Sequence, residues 1–281
     1  MKTVSAAALL LAALMAVQAQ ADLRYKVQTK TEGGPKSQGA TQVMQMTAAG
    51  DNARMEFLEG GPVQNGGYIL SKDGGKTMVM VNTKDKTYMN WDMEAMMGMA
   101  GAMGSMMKME VTNPKMEKLL DEAGQPILGY PTRHYKFRIS YGMSMTVMGF
   151  SSSSDIVREE ETWTTTRIDT AALMRWFKNA PKINESLDKL IAMERGRMEG
   201  MPLKMLSVQT STDKKGKVQT TKTSMDVTEI EKMTADPRLF QIPEEYKEMK
   251  MGGDESGEAD GAAGKDAPPA GLPGFLKMMR K

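Results

Sequence analysis

The stretch Leu23-Arg24-Tyr25-Lys26-Val27-Gln28-Thr29-Lys30-Thr31 alternates apolar or β-branched residues with charged and polar ones. A period of two puts Leu23, Tyr25, Val27 and Thr29 on one side of an extended chain. Arg24, Lys26, Gln28 and Lys30 fall on the other, so the stretch reads as a half-buried strand with one wet face. Residues 40–48 and 53–58 repeat the pattern around the turn Gly50-Asp51-Asn52. Further strands are expected at 67–71, 76–82 and 85–91, broken by Asp73-Gly74-Gly75 and Lys84-Asp85. Met78 to Val81 is apolar on both faces, which predicts a central, covered strand.

Alternation resumes at 108–119, 131–141, 143–150 and 155–167, then at 203–212 and 217–228 across the hairpin signal Lys214-Lys215-Gly216. Within 131–141, Tyr135, Phe137, Ile139 and Tyr141 share one face, and His134, Lys136 and Arg138 the other. Two helices are expected between these strands. Asp169 or Thr170 caps the first, with Leu173, Trp176 and Phe177 as its apolar stripe. Ile183, Leu187, Leu190 and Ile191 mark the second, which stops at Arg195-Gly196. The predicted class is mainly β (α+β), a strongly curved antiparallel sheet or half-barrel. An inserted helical pair and a Met-rich helix or lid would cover its concave face.

The ends read differently. Lys2, the apolar run Val4–Val17 and the small residues of Ala19-Gln20-Ala21 make a secretory signal over 1–21, cleaved between Ala21 and Asp22. That run is too short for a hydrocarbon core that needs roughly 20 residues. Residues 22–250 then form the folded domain. Residues 251–274 hold Gly, Ala, Asp, Glu and Pro without apolar periodicity, so 251–281 is expected to be a disordered tail ending in Phe275 to Lys281. The expected protein is periplasmic or secreted, monomeric, and without a transmembrane segment in its mature form.

Composition narrows the chemistry. Lys and Arg number 37 against 35 Asp and Glu, so the net charge of +2 gives no basic excess for nucleic acid. With no Cys and one His, zinc centres and thiol catalysis are excluded. The chain holds no G-x-S-x-G, phosphate loop or H-E-x-x-H motif. No cofactor is expected, and the chain reads as a non-enzyme. Arg158-Glu159-Glu160-Glu161 could suggest paired carboxylates, but adjacent strand residues face opposite ways. Glu159 and Glu161 are better explained as partners of Lys or Arg on a neighbouring strand. His134 reads as a surface residue on a basic stripe.

The most unusual segment runs from Met93 to Met109, where eight of 17 residues are Met, interrupted by Gly98, Gly101 and Gly104. Thioether side chains are unbranched and polarizable, so one reading is an adaptable apolar contact surface. Trp91, Met93, Met96, Met97, Met99, Met103, Met106 and Met107 are its candidate ligand contacts. A second reading is core filler. A third is a Cu(I) or Ag(I) site built on Met96, Met97, Met106 and Met107, because thioethers select soft metals.

Three features carry a family resemblance: the Met/Gly segment, Ile127-Leu128-Gly129-Tyr130 leading to His134-Tyr135, and Leu239-Phe240-Gln241-Ile242-Pro243-Glu244-Glu245-Tyr246. Together, over roughly 23–250, they resemble the exported bacterial domain-of-unknown-function family DUF4412, related in fold to the lipoprotein carriers LolA and LolB. Two departures stand out: Pro131-Thr132 where relatives carry Cys, and Glu245 where they carry Gly. The resemblance implies a half-barrel whose concave face holds a hydrophobic ligand or a lipidated partner. The alternatives are the soft-metal protein and an envelope scaffold that docks through its tail.

Overall fold

Strands of the kind read from Leu23–Thr31 belong to one sheet of twelve. The computed structural model describes residues 22–33, 40–61, 66–92, 107–147, 150–169 and 185–249. The strands are β1 (Asp22–Glu32), β2 (Ala40–Ala49), β3 (Asn52–Glu59), β4 (Tyr68–Ser71), β5 (Thr77–Asn82), β6 (Thr87–Asp92), β7 (Met107–Ile127), β8 (Tyr130–Val147) and β9 (Phe150–Thr165). Helix α1 (Glu185–Arg195) precedes β10 (Met201–Asp213), β11 (Val218–Met233) and β12 (Lys247–Glu248).

The sheet order is β12-β6-β5-β4-β3-β2-β1-β11-β10-β9-β8-β7, and it is not closed. Two meanders meet at β1: the chain winds outward from β1 to β6, then starts again at the far edge with β7 and winds back to β11. Every neighbouring pair is antiparallel except β12 with β6.

Local chemistry sets the turns. Leu128 and Gly129 form a two-residue connection between β7 and β8, both with positive φ (50° and 78°), the twist a tight hairpin requires. In the β4–β5 turn, Asp73 accepts from the backbone N–H groups of Lys76 and Thr77 and from the Ser71 and Thr77 hydroxyls.

The two faces of the sheet are built differently. One buries Leu23, Val27, Met46, Ala48, Ala53, Leu203 and Val227 in a core that crosses β1. On the same face, the aromatic row of β8 packs with Val111, Ile156 and Leu190 of α1. The opposite face buries Tyr68, Leu70 and Val81 under Ala235 and Phe240, with Leu239, Ile242 and Tyr246 packed around them. The segment from Ala235 to Tyr246 is thus a strap across β3–β6.

Several expectations need correction. Residues 131–141 and 143–150 are not two strands; β8 runs unbroken through Gly142, where an added Cβ would stand 2.5 Å from Thr112 Oγ1. A close neighbour, not a chain break, accounts for that glycine. The strand holding Met78 to Val81 is β5, two places from the edge, and Val81 is covered by the strap instead of by a central position. Of the helical pair, the second is α1, while the stretch with Leu173, Trp176 and Phe177 lies outside the described residues. Residues 1–21 and 251–281 also lie outside them. Among the described residues, no helix is long and apolar enough to cross a membrane.

Candidate functional site

Register brings the methionines together. Tyr25 stands opposite Met46, Met46 opposite Met55, Met55 opposite Ile69, Ile69 opposite Met80 and Met80 opposite Met89. Directly opposed residues share a face with Cβ atoms about 5 Å apart, so this is one continuous row over β1–β6. Met46 is buried, whereas Met55, Ile69, Met80 and Met89 are half-buried. The Tyr25 hydroxyl donates to Met46 Sδ at 3.0 Å, and burial pushes its pKa up to about 12. Across β1 the same face continues: Thr29 faces Met225, Met225 faces Met205, Met205 faces Thr162 and Thr162 faces Tyr135. Met109 opposes Met145 at the β7 flank. We call this surface the methionine face.

A cluster of charges is sunk into it beside the β8 row, where Glu160 faces Phe137 and Ser207, and Arg158 faces Ile139 and Gln209. Glu160 is paired with Arg197, and it also receives the Thr162 hydroxyl at 3.2 Å. Arg158 lies 3.5 Å from Glu160 and 2.5 Å from Glu194 on α1. Burial pushes the Tyr141 phenol up, and Arg158 partly opposes that shift.

The opposite face of β8 and β9 carries a cross-strand ladder. Lys136 donates to Glu161 at 2.9 Å and Arg138 to Glu159 at 2.6 Å. These hydrogen bonds hold both carboxyls below the usual range. The expected pairing of Glu159 and Glu161 with a neighbouring strand is therefore correct, and Glu160 lies on the other face. His134 does lie on the polar face, but it is more enclosed than a surface stripe implies. It stacks on Trp163 with ring centroids 4.1 Å apart, between Glu122 and Glu161.

The sequence-based contact residues are placed only in part. Trp91 lies in β6 in register with Met78, and Met107 opens β7 opposite Val147. Met93, Met96, Met97, Met99, Met103 and Met106 lie outside the described residues. The methionines of the row are spread over four strands, so no local density marks them. Their period-two placement in successive strands was the signal that could have found them. The buried Arg197 left no comparable trace.

Solved structures align with the chain only loosely. A LolA superfamily protein from Nitrosomonas europaea aligns at 8% identity and a TM-score of 0.29, covering 79% of this chain and 90% of that one. Two crystal forms of PNGF-II align at 12% and 10% identity with TM-scores of 0.31 and 0.32, covering 82% and 81% of this chain. The chain spans about a third of the length of PNGF-II, 32% and 31% in the two forms. No curated protein matches the chain. The family described as "Domain of unknown function (DUF4412)" matches residues 35–246, most of the sequence, and the chain belongs to that family.

Proposed function

We propose that this is an exported, non-enzymatic protein that holds a hydrophobic ligand or a lipidated partner against its methionine face. The observation that carries the reading is the row of half-buried Met55, Ile69, Met80 and Met89 across β3–β6. A fully buried Met contributes about 1.5–3 kcal/mol, so a half-buried one leaves roughly 1 kcal/mol for a ligand to gain. Met55, Ile69, Met80 and Met89 together then offer about 4 kcal/mol, which corresponds only to millimolar affinity. A useful ligand must therefore be long enough to engage other parts of the face, as an acyl chain is. Met side chains adapt to such a chain without a fixed shape.

Chain connectivity supports a rolled sheet, the half-barrel form of this reading. β6 and β7 are ten strand spacings apart, about 48 Å at the usual spacing. The register also staggers Asp92 and Met107 by roughly 60 Å along the strands. A flat sheet would separate them by about 75 Å, yet the intervening residues reach only about 50 Å when fully extended. Twist and coil must make up the difference. In this reading residues 93–106 join the ligand surface, with Met93, Met96, Met97, Met99, Met103 and Met106 as contacts alongside Trp91 and Met107. Cleavage after Ala21 and a disordered tail over 251–281 complete the proposal.

A second reading has its own observation. Met46–Met55, Met80–Met89, Met205–Met225 and Met109–Met145 are directly opposed pairs, donor sets that suit Cu(I) or Ag(I). One preparation separates the two. The full chain is expressed with its leader, purified without detergent and weighed by native mass spectrometry. Acyl-lipid adducts released by solvent extraction are expected. A lipid-free mass that gains Ag(I) stoichiometrically would replace the first reading with the second.

A further inference from the structure

One group on the methionine face has hydrogen-bonding capacity that the protein leaves unused. Arg197, just past the end of α1, is only 5% exposed at its side chain. Its Nη2 donates to Glu160 Oε1, and its guanidinium stands over the Phe137 ring, 4.9 Å from the centroid. Nε and Nη1 are buried with no hydrogen-bond partner. A buried donor without an acceptor is costly, most of all on a charged group.

Charge decides what kind of acceptor suits these donors. Arg197 and Arg158 are balanced by Glu160 and Glu194, with Glu160 only 4% exposed. A further anion would leave this enclosed cluster with a net charge, which a low-dielectric site strongly disfavours. A neutral oxygen that accepts and carries no proton satisfies the donors without that penalty, and a carbonyl is such a group. An amide carbonyl brings an N–H that needs its own acceptor, but the unpartnered buried atoms in this cluster are all guanidinium nitrogens. An ester has no such N–H.

Position agrees with this. Thr162, which donates to Glu160, stands opposite Met205, which in turn stands opposite Met225. Glu160 itself faces Phe137 on β8 and Ser207 on β10, so the donors lie beside the aromatic core and one row from the methionine pair, where the polar joint of an otherwise apolar chain would fall. We propose that Arg197 receives the ester carbonyl of an acyl lipid whose chain lies on the methionine face. This rests on the ligand-binding reading above and narrows its ligand to acyl esters, setting aside free fatty acids and plain hydrocarbons.

A matched pair of lipids tests it: 1-palmitoyl-lysophosphatidylcholine and its 1-O-hexadecyl ether analogue, which differ at the carbonyl, titrated into the full chain below their micellar concentrations. The ester is expected to bind at least about tenfold tighter, as for one hydrogen bond from a charged donor. Arg197→Met should bind both lipids with the ether's affinity. Removing Arg197 strands Glu160, so the double variant Arg197→Met/Glu160→Gln keeps the test usable if the single variant does not fold. Equal affinity for the two lipids in the parent would overturn the proposal, as would an ester preference that survives in a folded variant. A water molecule serving the same donors would give that equality. If neither lipid binds, the ligand-binding reading itself falls.

Discussion

Strands β3–β6 present two faces of unlike quality. On the strap face, Leu70 and Val81 are 1% and 0% exposed beneath Phe240. On the methionine face of the same strands, Met55, Ile69, Met80 and Met89 keep part of their surface open. The chain supplies a dedicated segment for the first face and fastens it in several ways. Arg54 Nη1 donates to the Leu239 carbonyl at 2.9 Å, and its guanidinium lies 3.7 Å from the Tyr68 ring centroid. The backbone N–H groups of Lys247 and Met249 donate to the Lys86 and Tyr88 carbonyls. Branched and aromatic side chains meet there in fixed shapes, while the other face is lined by the most deformable apolar side chain available. The strap side of these strands is closed over Leu70 and Val81, while the methionine side joins a buried core at Ala53 to side chains that stay half open.

Two truncations measure that contrast. Phe240→Ala removes the centre of the strap contact, and we expect a loss of about 3–5 kcal/mol in urea unfolding. Met80→Ala, on the other face of the same flank, should cost only about 1 kcal/mol, because its native burial is partial. Comparable losses at the two positions would mean that the methionine face is ordinary core, and the contrast would collapse. A small loss for Met80→Ala together with weaker lipid binding would sharpen it.

Much of this arrangement was legible in the sequence, for a definite reason. Alternation is a local property, so Leu23–Thr31 and the Tyr135–Tyr141 row announced both their strand state and their buried sides. The pairing of Glu159 and Glu161 followed from parity alone. What stayed hidden depends on register between distant strands. Met46, Met55, Met80 and Met89 join one row, through Ile69, only once β2 to β6 are aligned. The Met93–Met109 segment, by contrast, is dense along the chain itself. The strap carries no periodic signal, because Leu239, Phe240 and Ile242 follow neither a helical nor a strand period; they cover a surface formed by other strands. Arg197 and Glu160 lie 37 residues apart, with nothing local to join them.

The smallest expected effect concerns the turn that joins β4 to β5 and so serves both faces at once. Burial alone would raise the Asp73 carboxyl, but hydrogen bonds from Thr77, Ser71 and Lys76 outweigh it and hold the pKa below its ordinary value. A carboxyl lowered in the native state adds stability above its unfolded pKa, near 3.9, and loses that contribution as pH falls through the lower native value. The turn is partly open to solvent, so after screening the contribution is about 0.5 kcal/mol. Asp73→Asn should therefore be less stable than the parent by that amount at pH 6, with the gap closing below about pH 4. A gap that persists undiminished at pH 2.5 would show that the carboxylate charge is not its source. The pH dependence should also be the same in the Phe240→Ala and Met80→Ala backgrounds, because the turn holds the strands and takes no side between their faces.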